Sequence, residues 1–80
     1  MVRFTLMDRS TSASIRMDVP KDEQVSEIAL TASEYWGYGK VLVVKGYQLL
    51  PSDREVGDVI SEGDLIETIP DPRELDERKV

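Results

Sequence analysis

From Val2 to Met7 apolar and polar positions alternate, with Val2, Phe4 and Leu6 set against Arg3 and Thr5. The alternation returns as Ile15, Met17 and Val19 against Arg16 and Asp18. A period of two marks a strand with one buried face. The stretch between them, DRSTSAS, is short and polar enough for a turn, so the N-terminal segment predicts a β-hairpin. Met7 is the exception, an apolar side chain on the outer side of its strand. Pro20 has no N–H to give to a ladder and ends the second strand.

After Pro20 the period changes. Val25, Ile28, Ala29, Ala32 and Tyr35 or Trp36 recur at three- and four-residue spacings, which predicts an amphipathic helix. Lys21 or Asp22 is expected to cap its start, with acidic residues in the first turn favouring the dipole, and Gly37 and Gly39 are expected to end it. A strand follows over Val41 to Lys45, then a turn at Gly46 and a short run from Gln48 to Leu50. PSDRE reads as a loop, VGDVI as a helical turn, SEG as a turn and DLIETI as a last strand that Pro70 terminates.

The order β-β-α-β-(β)-β predicts an α+β domain over residues 1–70, with one helix on one mixed sheet. Two arrangements satisfy it. One is a β-grasp, with the first and last strands parallel and central; the other is an α+β sheet of different topology. Residues 71–80, DPRELDERKV, are mostly charged and are expected to form a flexible, solvated C-terminal tail. A short linear binding motif is the alternative reading of that tail.

The pattern also assigns the two sheet faces. Phe4, Leu6, Ile15, Met17, Leu42, Val44 and Ile66 are expected to face the helix and meet Val25 and Ile28. Thr5, Met7, Arg16, Val41, Val43, Glu67 and Ile69 are expected outside. Val41, Val43 and Ile69 are aliphatic where water alone favours polar residues. With Met7 and a charged rim at Glu67 they form the expected partner-binding surface, suited to a protein–protein contact. The plainer alternative is that Val41 and Val43 reflect strand propensity, or are covered by the tail folding back through Leu75 and Val80.

Composition narrows the function classes. Apolar residues make up 40% and charged residues 32% of the 80, the balance of one small globular domain. Cys and His are absent, which removes thiolate nucleophiles, the usual zinc ligands and the commonest general base. A non-enzymatic protein without metal or cofactor is expected. The acidic pairs Asp22/Glu23 and Asp76/Glu77 read as solvated charge, and SEGD lacks the ligand count of a calcium loop. The aromatics of YWGYG read as a helix end over the core rather than a base-stacking platform.

Sixteen acidic against 10 basic residues give a net charge of −6, which disfavours nucleic acid and anionic lipid. The longest apolar run, Val41 to Val44, is far short of the roughly 20 residues that span a bilayer, so no membrane insertion is expected. The N-terminus has no basic-then-apolar signal pattern, and a cytoplasmic protein, monomeric or weakly oligomeric, is expected.

Two stretches together resemble the ubiquitin-like family. SIRMDVPKDEQVSEI resembles its second strand and helix entry, and VVKGYQLLPSDREVGDVISEGDLIE resembles its third strand, Gly-x-Gln-Leu turn, loop, Ile60 plug and last strand. The likeness spans about residues 2–69, and the turn EGDLIE also resembles small prokaryotic ubiquitin-like proteins, including the YukD/EsaB-like proteins of type VII secretion and the sulfur carriers. The resemblance implies the β-grasp fold. It places Val43 and Ile69 at two positions of ubiquitin's apolar recognition patch and Glu67 where ubiquitin has a histidine.

Modifiers and sulfur carriers of this family work through a terminal Gly-Gly, because only a slim terminus threads into the adenylating enzyme. No two glycines of this sequence are adjacent, and proline and charge follow Ile69. The expected function is therefore a non-catalytic protein–protein interaction module. The alternatives are a diverged modifier or sulfur carrier, an accessory protein of type VII secretion, and a docking subunit of a multicomponent enzyme.

Overall fold

A computed structural model of the chain describes residues 1–37 and 39–71. The elements run β1 (Val2–Asp8), β2 (Ser14–Val19), α1 (Val25–Trp36), β3 (Val41–Lys45), β4 (Gln48–Leu49), α2 (Val56–Val59) and β5 (Leu65–Pro70). They build a small α+β domain. One mixed sheet has the order β2-β1-β5-β3-β4, and the long helix α1 packs on one face. β1 and β5 run parallel and adjacent inside the sheet, and every other pairing is antiparallel.

Register decides which face each side chain takes. In β1 and β5, Leu6 lies opposite Ile66 and Asp8 opposite Thr68. In β5 and β3, Thr68 lies opposite Val43, Glu67 opposite Val44 and Ile69 opposite Leu42. Residues directly opposite share a face, and successive residues alternate. Leu6 and Ile66 are fully buried against the helix, so Thr68, Val43 and Val41 lie on that side too.

This corrects the expected faces of β3. Val41 and Val43 belong to the core, and Leu42 and Val44 lie on the outer face. The reason is that VLVV is apolar on both parities, so it carries no phase of its own; pairing with β5 supplies it.

The core also takes Phe4, Val25, Ile28, Ala32, Leu50, Val56 and Ile60. Fully burying an aliphatic side chain such as Leu6 is worth about 1.5–3 kcal/mol. Ile15, Met17 and Val19 of the edge strand β2 are partly buried and pack at the margin of this core. Trp36, not its neighbour Tyr35, turns toward the core; Tyr35 is mostly exposed and meets Trp36 edge to face.

The helix start also differs from expectation. Its N-cap is Gln24 rather than Lys21 or Asp22, and no side chain caps it. The loop before α2 does the work instead: the Val25 N–H donates to Arg54 O at 2.9 Å and the Ser26 N–H to Ser52 O at 3.0 Å. Two of the orphan donors of a helix N-terminus are thereby satisfied by backbone carbonyls from a distant loop. The same contact continues from Val56 N–H to Glu23 O at 2.7 Å and from Gly57 N–H to Lys21 O at 2.8 Å. The helix ends as expected at Gly37, which takes a left-handed φ of 72° while its N–H reaches Ser33 O.

β5 runs through Pro70, which lies opposite Val41, and the next residue, Asp71, is buried with its N–H on Lys40 O. The expected charged tail otherwise falls outside the described residues. Among those described, no helix is long and apolar enough to cross a membrane.

Two substitutions test this packing. A Cβ on Gly57 would lie 2.8 Å from the Lys21 Cβ, so Gly57→Ala is expected to destabilise the domain by about 1–3 kcal/mol in urea unfolding. The buried Thr68 hydroxyl has no hydrogen-bond partner among the described residues, so Thr68→Val is expected to raise stability by about 1 kcal/mol.

Candidate functional site: the outer face of the sheet

The face away from the helix is built by alternation along each strand. β1 contributes Arg3, Thr5 and Met7, β2 Arg16 and Asp18, and β5 Leu65, Glu67 and Ile69. β3 contributes Leu42 and Val44, and β4 adds Leu49, opposite Val44. Of the expected partner-binding residues, Met7, Glu67 and Ile69 therefore share this face, and Val41 and Val43 do not.

Leu42 stands next to Ile69, and Leu65 and Leu49 are each about half exposed at 51% and 53%. Val44 is only 6% exposed, flanked by Glu67 and Leu49. The involvement of Leu65 was visible in DLIETI, where Leu65 and Ile69 bracket Glu67 on one parity. For Leu42 and Val44 the sequence offered no such signal.

Arg9 is a further residue that sequence reasoning missed. It sits in the turn after β1, and its guanidinium meets Glu67 with both carboxylate oxygens engaged, Nε to Oε2 at 3.2 Å and Nη2 to Oε1 at 3.0 Å. The same Nη2 also donates to Gly46 O at 3.2 Å. One side chain thus ties the β1–β2 turn, the middle strand and the β3–β4 turn together over the outer face. Paired, forked hydrogen bonds of this kind fix direction as well as distance.

The charge on the pair follows from that geometry. The hydrogen bond from Arg9 holds the Glu67 carboxyl below its ordinary range, and Glu67 raises Arg9 in turn. Beside Gly46, Lys45 lies 2.7 Å from Asp64, and this contact together with the Ser61 N–H lowers the Asp64 carboxyl. Arg3 and Asp18 pair more loosely at 3.5 Å in solvent.

Among the described residues, no nucleophile, base and orienting group converge on this face. Among the described residues no three acidic, His or Cys side chains come together as a metal site. An open cleft at the Arg3 end is lined by Arg16, Asp18 and Glu62 beside Phe4 and Met17, a mixture of charge and apolar surface. What the arrangement offers is a surface: partly exposed aliphatic side chains on the sheet, with the Arg9–Glu67 ion pair among them. No family model and no curated protein matches the chain.

Glu67 and Asp64 both have lowered carboxyl values in the folded state, so each contributes stability that is present above the ordinary carboxylate range and lost as pH falls through its folded value. The loss of stability between pH 7 and acid, measured by urea unfolding, is expected to be smaller in the Glu67→Gln, Asp64→Asn double variant than in the wild type. An identical loss in both proteins contradicts this assignment.

Proposed function

We propose that the chain is a ubiquitin-like β-grasp domain that acts as a non-catalytic protein–protein interaction module, binding its partner through the sheet face opposite the helix. The fold part of this reading is supported by the strand order with β1 and β5 parallel in the interior and one helix crossing one face. The observation that carries the function is the composition of the outer face. Leu42, Ile69, Met7, Leu65 and Leu49 lie on one side of a sheet whose other side already holds the core.

Apolar groups on a rigid, flat surface lose little conformational freedom on binding, which favours association per unit of area. The Arg9–Glu67 pair adds a polar group of fixed geometry within the apolar surface, and such a group discriminates between partners more than it adds affinity. In the patch assigned by resemblance, the place expected for Val43 passes to Val44 and its neighbour Leu42. The residues available to the partner are then Leu42, Ile69, Met7 and Leu65, with Glu67 engaged by Arg9.

A photo-crosslinking residue at position 69, introduced in the native host, is expected to trap the partner, which is then purified and titrated against the domain. Leu42→Asp is expected to weaken that binding by at least about tenfold with the fold intact by circular dichroism, and Asp22→Lys on the helix side to leave it unchanged. Unchanged affinity in the folded Leu42→Asp protein contradicts the proposal, as does ATP-dependent thioester formation with an adenylating enzyme.

A further inference from the structure

The two edges of the sheet are unequal. At one end β4 is two residues long; at the other β2 runs for six, from Ser14 to Val19, and among the described residues it pairs on one side only, with β1. A strand with a free side carries a row of unpaired N–H and C=O groups that another strand can take up.

Which residues own those groups follows from β1. The Thr5 N–H donates to Asp64 O at 3.0 Å and Arg3 O accepts from the Gly63 N–H at 2.7 Å, so both residues turn their main chain toward β5. Their alternates Phe4 and Leu6 turn theirs toward β2, onto Met17 and Ile15. The groups left at the free edge of β2 therefore belong to Ser14, Arg16 and Asp18, and all three residues are exposed. Arg16 has no ion-pair partner among the described residues, although Glu62 lines the same cleft, and Asp18 holds Arg3 only at 3.5 Å in solvent.

Two copies of this edge meet antiparallel about a two-fold axis in a few registers, and charge separates them. Centring on Arg16 sets arginine against arginine, and centring on Asp18 sets aspartate against aspartate; like charges directly opposite are unfavourable. Centring on Ile15 leaves both charges against serines, Ser14 and Ser12. Centring on Met17 alone sets each Arg16 opposite the Asp18 of the other copy, and each such pair exchanges both of its N–H···O bonds. On the helix side the same register brings Met17 against Met17 and Ile15 against Val19, the partly buried apolar positions of β2.

We propose that β2 is a homodimer edge: two copies of this chain pair antiparallel through Ser14–Val19 about an axis at Met17, which joins their sheets into one with both helices on the same side. Because each copy uses the same edge, association closes at two. A contact of one strand pair is small, and the dimer is correspondingly weak.

The test uses the full chain in sedimentation equilibrium up to about 1 mM, the weak end of specific affinities. At about 0.15 M salt the repulsion between two copies of net charge −6 is screened beyond about 8 Å. The wild type is expected to reach a dimer and nothing larger. Arg16→Glu and Asp18→Arg, both at exposed positions and with retained fold checked by amide NMR spectra, are each expected to stay monomeric. Mixed in equal amounts they are expected to dimerise, because every charged pair across the edge is again of opposite sign, and both changes in one chain are expected to do the same.

Single cysteines read the register in a chain that has none of its own. The axis sets position 17 opposite itself with Cα atoms about 4.5 Å apart, within disulfide reach, whereas the two copies of position 14 lie about 20 Å apart. Met17→Cys is expected to cross-link into a dimer with oxidised glutathione, and Ser14→Cys to remain single chains. Leu42→Asp, on the outer face, is expected to leave the dimer unchanged. A monomeric wild type, a charge reversal that still dimerises alone, a monomeric mixture, cross-linking at position 14 as ready as at 17, or loss of the dimer in Leu42→Asp overturns the proposal.

Discussion

The parallel pairing of β1 with β5, with Leu6 opposite Ile66, is the contact on which the rest depends. It joins the first and last strands of the domain, so everything between them must leave the sheet and return. Parallel neighbours need a long crossover. Here the route passes through β2, the helix, β3, β4 and α2, and the helix closes over the core as part of it. The pairing also sets the phase of β5, and β5 sets the phase of β3. Two strands that do not touch, β1 and β3, place their inward side chains in one core because both are registered against the same strand.

A second contact links sequence-distant segments by backbone alone. The loop from Ser52 to Gly57 lies along residues 21–26, and its carbonyls serve the helix start while its own N–H groups reach Glu23 and Lys21. Backbone groups buried in such a place must find partners. The requirement for close approach falls on Gly57, where any side chain meets Lys21. Helix, α2 and the connecting loop thus form one unit on the core, which leaves the far side of the sheet uncovered among the described residues. One face of the sheet thereby holds the core, and the other carries partly exposed aliphatic side chains around the Arg9–Glu67 pair.

Much of this was legible in the sequence, and the exceptions have a common cause. The hairpin could be read because Val2–Leu6 and Ile15–Val19 alternate cleanly, and the helix because its apolar spacing is regular and Gly37 ends it. The parity of β3 could not be read, since four consecutive apolar residues fit either face. The Arg9–Glu67 pair was hidden because its members are 58 residues apart. The helix cap was hidden because it is made by carbonyls, which every residue has. Of the candidate surface, Met7, Glu67 and Ile69 were found from alternation, whereas Leu42 and Val44 needed the register.

That parity decides which β3 side chains reach the outer face. The chain contains no cysteine, so single thiols report accessibility without background. Leu42→Cys and Val43→Cys proteins are to be labelled in native buffer with a thiol reagent, each rate referred to the same protein unfolded in urea. Leu42→Cys, at a partly exposed position, is predicted to react much faster than Val43→Cys, which is protected by at least about a hundredfold because it reacts only when the core opens. Protection of position 42 with free reaction at position 43 would contradict the register and, with it, the surface proposed for binding.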